Sequence, residues 1–289
     1  MRIRKVKRIS KAVPTIEGAG VRLNRAFGFY NTEDYDPFLL LDDFRSDKPD
    51  DYLAGFPTHP HRGIQTVTYM MEGRVEHQDS LGNKGVIGPG GVQWMTSGSG
   101  IIHQEMPKGD AGGRMYGFQL WVNLPKGLKM SGPEYQEFAA DQIPEIVESD
   151  GSIVKIICGE FSGVAGPVIV SGTDPAYIDL RLPPETEKII NVNSEDNVLL
   201  YIYRGELEFP FEDKPEYQGK IAKNRELVLL GEGDAIRIKS GDSGTGLLLI
   251  SGLPLKEPVA WRGPIVMNTQ KELDEAFEAL ENGTFLENN

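Results

Sequence analysis

Apolar positions in this chain come mostly in short runs separated by glycine-rich turns. The segment from Gly63 to Gly73, GIQTVTYMMEG, is dense in β-branched and aromatic residues and ends in glycine, as a strand entering a tight turn does. DSLGNKGVIGPGGVQWM follows, with the turn signals Leu81-Gly82-Asn83 and Gly88-Pro89-Gly90-Gly91 between short apolar pieces. RMYGFQLWVNLP continues the pattern to Pro125. The second half echoes the first: Tyr69-Met70-Met71-Glu72-Gly73 by Tyr201-Ile202-Tyr203-Arg204-Gly205, and GVIGPGGVQWM by LVLLGEGDAIRI. The second copy is the longer, by a polar insertion around EDKPEYQGKIAK. Each copy reads as strand, glycine turn, strand, glycine turn, strand, the unit that an antiparallel jelly-roll barrel repeats. The predicted fold is therefore all-β, two jelly-roll barrels over residues 1–130 and 131–289, with the boundary near the polar stretch Lys126 to Pro144. The C-terminus departs from the pattern. Thr269 stands three residues before Glu272, and Leu273, Ala276, Phe277 and Leu280 share one helical face before Gly283. This predicts a capped amphipathic helix on a barrel exterior, its acidic side from Asp274 to Glu281 turned to solvent.

Composition agrees. With 289 residues and 39% hydrophobic content the chain can build two modest cores, and its 34 glycines and 19 prolines are spread along it rather than gathered in a linker. A net charge of −13 argues against direct nucleic-acid binding, which needs clustered cations. One cluster runs the other way: Arg2, Arg4, Lys5, Lys7, Arg8 and Lys11. It reads as an edge strand in which Ile3, Val6 and Ile9 pack while the cations discourage edge pairing, a basic arm being the alternative. A single cysteine, Cys158, excludes an intrachain disulfide, fits a reducing compartment and reads as a structural thiol. With neither a leader-like segment nor an apolar run of membrane-spanning length, the expectation is a cytoplasmic protein without membrane association, or a nuclear one if the source is eukaryotic.

The candidate chemistry lies in the histidines. All four, His59, His61, His77 and His103, fall in the first half. His59-Pro60-His61 puts two imidazoles on the same side of an extended strand, and His103-Gln104-Glu105 does the same for an imidazole and a carboxylate. If the two strands face one another in one barrel, three nitrogens and one oxygen converge, a donor set for a single divalent first-row ion: Fe(II), Mn, Ni, Cu, Co or Zn. His77, in VEHQDSLG, falls in a turn-rich stretch and is expected beside a ligand or at the surface rather than on the metal.

GFPTHPHRGIQTVTYMMEG, followed by GPGGVQWMTSGSGIIHQEMP, resembles the pirin family; FLLLDDF before them and FQLWVNLP, LGEGD and GPIVMNT after them are similar to pirin blocks in the same order. The resemblance runs from about Val21 to the C-terminal helix. It implies a bicupin with one mononuclear iron, Fe(II), held by His59, His61, His103 and Glu105. Many pirins have glutamate four residues after the second ligand histidine, where this chain has Gln65, an amide unable to carry charge or shuttle a proton. Arg62 and Asp43 are candidates for a pair that orients a ligand, and Phe56, Trp94, Met95 and Trp121 for an apolar substrate pocket, with core packing as the alternative.

An octahedral ion with four protein ligands keeps two positions for water, dioxygen or a chelating substrate. Similarity to pirin-like quercetinases implies a dioxygenase that takes a small aromatic chelator such as quercetin, removes its hydroxyl proton and combines it with O2, releasing a depside and carbon monoxide. Glu105, the only carboxylate of the site, is the candidate base. The same resemblance implies an alternative, a metal- or redox-sensing regulator that binds a transcription factor or a metabolic enzyme. A metal-stabilised bicupin without turnover is the third.

Overall fold

The computed structural model describes residues 1–170, 172–210 and 220–286. Residues 211–219, which hold most of the polar insertion expected in the second copy, lie outside the described residues.

The chain divides into two compact units: residues 13–142 with 255–289, and residues 1–12 with 143–254. Each contains one seven-stranded and one four-stranded sheet, in which every strand pairing is antiparallel. The repeat has a physical counterpart. Ile64–Glu72 in one unit and Asn197–Arg204 in the other both run into a glycine, Gly73 and Gly205, at φ 74, the left-handed region that only glycine enters without steric cost. Two β units of the expected kind are present. The division at 130/131 is corrected at both termini, however. Val6–Lys11 forms the edge of the second unit's seven-stranded sheet by pairing with Glu226–Leu230, because its apolar Val6 belongs to that core. The C-terminal segment packs with the first unit, where Ile265, Met267, Leu273, Ala276 and Phe285 cluster against Ile102.

In the second unit Val154, Ile156, Leu180, Leu200, Ile236 and Leu249 belong to one aliphatic cluster. Each such side chain contributes about 1.5–3 kcal/mol by leaving water, so this interior favours stability over chemistry. The first unit differs. Its four-stranded sheet runs in the order Phe56–His61, Ile101–Lys108, Arg74–Asp79, Lys84–Ile87, and its interior mixes apolar residues with His77, His103, Glu105, Thr68 and Gln119. Strand alternation decides which side chains join them: on Ile64–Glu72, Thr68 and Met70 face the four-stranded sheet, and Gln65, Val67 and Tyr69 take the other face.

The C-terminal helix, Gln270–Asn282, forms as its pattern predicts. Thr269 and Glu272 make the reciprocal capping box, Gly283 closes the helix in the left-handed region, and Leu273 and Ala276 are buried. No helix among the described residues is long and apolar enough to cross a membrane.

Candidate metal centre

Among the described residues, one group of three could hold a metal ion: His59, His61 and His103, whose ligand atoms all lie within 4.8 Å of one another. Two neighbouring strands bring them together. Phe56–His61 pairs with Ile101–Lys108 in a register that sets His59 opposite His103, and Pro60 keeps the HxH segment extended so that its two imidazoles share a side. Past His61 the chain turns at Gly63, at φ 77, where a Cβ would lie 2.0 Å from the Val266 carbonyl oxygen; any other residue would push the His61 strand off its neighbour.

The ring nitrogens sort themselves. His59 Nδ1 lies 2.8 Å from the Pro57 carbonyl oxygen and His61 Nδ1 lies 3.0 Å from that of Pro264, so in the neutral rings Nδ1 carries the proton and Nε2 the lone pair. Those Nε2 atoms converge, His59 with His61 at 3.1 Å and His59 with His103 at 3.0 Å. Burial pushes the pKa values of His61 and His103 well below 6.5, with neighbouring imidazoles adding to the effect, so protonation does not relieve the lone-pair contacts. A cation does. Nitrogens about 2.1 Å from a metal and at right angles stand about 3.0 Å apart, whereas tetrahedral angles would spread them to about 3.4 Å. The spacing of His59 to His61 and to His103 therefore fits a divalent ion on which His59 stands at right angles to each of the other two imidazoles, the donor type that suits iron, nickel, copper, cobalt, manganese or zinc.

Behind the cluster, His103 Nδ1 lies 3.4 Å from His77 Nδ1, and His77 Nε2 lies 3.6 Å from Asp79 Oδ2. Asp79 is itself fixed by the backbone amides of Leu81 and Asn83 and the Asn83 side-chain amide. His77 thus backs the His103 imidazole, while its own Nε2 makes no hydrogen bond and stands only at ion-pair distance from Asp79. Asp79 was missed in the sequence although it stands two residues from His77, the same spacing as the other two pairs.

Glu105 is buried and lines the same cavity as His59 and His61, but its carboxylate lies outside the three-imidazole group. Thr68 Oγ1 donates to its Oε1 at 2.9 Å, and Gln119 Nε2 makes a long 3.4 Å contact to its Oε2. Neither Thr68 nor Gln119 has a motif; both are found only because their strands face Glu105.

Other expected positions fall elsewhere. Arg62 and Asp43 do not pair. The Arg62 guanidinium donates to the carbonyl oxygens of Ser99 and Phe285 at 2.6 and 2.8 Å and lies over the Phe285 ring, while Asp43 accepts from Arg45, two residues along its own strand face. Alternation explains this: Asp42 lines the cavity, so Asp43 points to the opposite face. Gln65 lies on the far face of its strand, where its amide donates to Thr96 Oγ1 at 3.2 Å. Of the pocket candidates, Phe56 and Trp121 line the cavity. Trp94 sits opposite Val67 on the far face and Met95 is fully buried; neither lines it.

The cavity measures about 430 Å³, within the range of small-molecule sites. Trp121 meets the His61 ring edge-on at 5.1 Å and packs against Trp261 at 5.8 Å, and Trp261 stacks on Phe29 at 4.2 Å. A polar wall completes the lining. Arg25 donates from Nε and Nη2 to both oxygens of Asp42, at 2.8 and 2.7 Å, and from Nη1 to Glu17 at 2.8 Å. Burial nonetheless raises the Asp42 pKa to about 6, against the opposing pull of Arg25.

Comparison with known proteins places this geometry. Residues 20–122 match the family model described as Pirin, and residues 177–286 match the Pirin C-terminal cupin domain. A pirin-like protein of Caulobacter vibrioides is 46% identical, over 99% of this chain and 100% of its own. A Pseudomonas aeruginosa protein named "Putative quercetin 2,3-dioxygenase" is 43% identical, over 98% of each chain. Among solved structures, a quercetin 2,3-dioxygenase from Acinetobacter baumannii superposes with a TM-score of 0.87 at 28% identity, covering 98% of this chain and 99% of its own.

Proposed function

The chain belongs to the pirin family, and on that premise we propose that it is a metal-dependent dioxygenase, using iron(II), that cleaves flavonols such as quercetin with O2. The observation that carries this reading is the cluster of imidazole Nε2 atoms, His59 standing 3.1 Å from His61 and 3.0 Å from His103, two of whose members, His59 and His61, line a cavity large enough for a flavonol. His59, His61 and His103 would hold the ion, and Glu105 would complete the set. When bound, the metal supplies a Lewis-acidic centre that acidifies a chelating hydroxyl and engages dioxygen.

The remaining work falls to this chain's own side chains. Three neutral imidazoles and one carboxylate leave a divalent site with a residual charge of about +1, which favours an anionic oxygen pair over a neutral one. A flavonol must release its 3-hydroxyl proton as it chelates. Glu105 Oε1 already accepts from Thr68, so Oε2, with its long contact from Gln119, is the oxygen free to take that proton. Phe29, Leu40, Phe56 and Trp121 wall the cavity with apolar surface that excludes water from the deprotonated substrate.

The test compares Glu105→Gln with the wild type, measuring bound metal by elemental analysis and O2 uptake with saturating quercetin. Glutamine keeps the size and an oxygen donor while removing the basicity. The expected result is retention of most metal with turnover per metal ion reduced at least about 100-fold, as for loss of a general base. Unchanged turnover per metal ion would rule Glu105 out as the base. A wild type that binds metal but consumes no O2 with any flavonol would overturn the enzyme reading.

A further inference from the structure

The metal centre occupies one part of the cavity, and the polar wall formed by Glu17, Arg25 and Asp42 has no part in the chemistry described above. A run of cross-strand neighbours links the two. Gln119, in contact with Glu105, sits opposite Asp42 in the sheet register; Asp42 is clamped by Arg25, and Arg25 by Glu17, which is 39% exposed. Trp121 and Leu40 form the next cross-strand pair in the same sheet and line the cavity too. A planar molecule lying along this lining would meet aromatic surface and a row of hydrogen-bonding groups at once.

The charge and the bonding of that row state what it accepts. Two carboxylates share one guanidinium, so the wall carries a formal −1. Each Asp42 oxygen takes one N–H from Arg25, and a carboxylate oxygen has a second lone pair to offer. The Arg25 fork holds those oxygens in one orientation, so an incoming hydroxyl meets a preorganised acceptor. A carboxylate or phosphate substituent would be repelled, an apolar ring would gain nothing, and a phenolic O–H would donate to a charged acceptor.

We propose that Asp42, oriented by Arg25 and backed by Glu17, is a specificity-determining subsite that receives the hydroxyl groups of the substrate's distal ring, selecting neutral polyhydroxylated planar aromatics over their unhydroxylated or anionic counterparts. The proposal rests on the flavonol reading for the orientation of the substrate, its chelating oxygens at the histidines and its distal ring at Asp42. Arg25 is a positioning residue and Asp42 the group that touches the ligand. The neighbouring Phe29 backbone is held at φ 49, a conformation that L residues rarely adopt, and its ring is stacked on Trp261. That local strain falls where the aromatic side of the cavity has to be fixed.

The experiment measures equilibrium binding by quenching of tryptophan fluorescence, under anaerobic conditions so that no turnover intervenes. It uses the full-length protein with its own metal at pH 8, above the Asp42 pKa of about 6. The probes are quercetin and galangin, flavonols with the same chelating end, the second lacking distal-ring hydroxyls. A hydrogen bond to a charged group predicts quercetin tighter by about tenfold or more in the wild type. In Asp42→Asn that ratio should fall to within about threefold, and in Glu17→Gln, at a half-exposed position that cannot endanger the core, it should fall part of the way. Equal affinities in the wild type, or an unchanged ratio in Asp42→Asn, would overturn the subsite and leave the flavonol reading standing. Stripping the metal separates the two ideas: it should weaken both flavonols by the same factor and preserve the ratio. If stripping changes neither affinity, chelation falls while the ratio still reports the subsite. If neither flavonol quenches the wild type, both proposals fall.

Discussion

Replacing Thr68 by valine isolates one hydrogen bond at the centre of the site. The Thr68 hydroxyl donates to Glu105 Oε1 at 2.9 Å and accepts from Gln119 Nε2 at 3.3 Å, and Thr68 is 2% exposed. Valine has nearly the same shape, so no cavity opens and the effect is electrostatic. A buried hydrogen bond to an ionised acceptor contributes about 1.5–3 kcal/mol, and the remaining Gln119 contact to Glu105, at 3.4 Å, is too long to compensate. Part of that loss appears as stability, and part as freedom of Glu105 to leave the orientation needed for ligation. Outer-shell partners of metal ligands typically change affinity by about 10–100-fold, so Thr68→Val should weaken metal binding by about tenfold, read by competition with a chromophoric chelator. Thr68→Ser separates the causes. It keeps the hydroxyl and loses a methyl, so it should cost about 1 kcal/mol in urea unfolding while metal affinity stays within about threefold of the wild type. The reasoning is refuted if valine binds metal as tightly as threonine, or if serine is the weaker binder, because Thr68 would then act through packing alone and Glu105 would need no donor.

Three further outcomes follow from the same structure. His77→Ala should keep the metal but weaken it by about 10–100-fold, since it removes the partner of His103 Nδ1, whereas His59→Ala should abolish tight binding; elemental analysis and chelator competition on both variants distinguish an orienting residue from a ligand. The raised pKa of Asp42 means that the folded protein binds more protons than the unfolded chain between its ordinary 3.8 and about 6, so this group makes stability fall as pH rises through that window. The span corresponds to about 3 kcal/mol, and the difference between wild-type and Asp42→Asn unfolding free energies, measured from pH 3.5 to 7, should carry that slope and be flat above the window. Thr269→Ala removes the hydroxyl that caps the Glu272 amide and should lower the stability of the C-terminal helix by about 1 kcal/mol, visible as earlier hydrogen exchange in Gln270–Asn282 with metal content unchanged.

The sequence alone determined the features whose causes are local. Alternating β-branched runs ended by glycines specify antiparallel strands, because each strand's period and each turn's left-handed φ are set by adjacent residues; Gly73 and Gly205 share a φ of 74 for that reason. The capping box at Thr269 is equally local. So is the facing of each HxH or HxE pair, since residues two apart on a strand always share a side. Tertiary structure decided whatever depends on which strands become neighbours. The register that puts His103 opposite His59 turns two weak motifs into one three-nitrogen cluster. Thr68 reaches Glu105, and Gln119, Arg25 and Asp42 reach the cavity, from strands far apart in sequence, and nothing in their own neighbourhoods marks them. Adjacent positions show the limit most clearly: Asp42 and Asp43 are chemically alike in the sequence, yet one residue's difference in strand phase sends Asp42 into the cavity and Asp43 to Arg45. The assignment of the chain's two ends to units was likewise settled by which sheet edge and which apolar cluster could bury Val6 and Phe285, a competition between distant surfaces that no local pattern encodes.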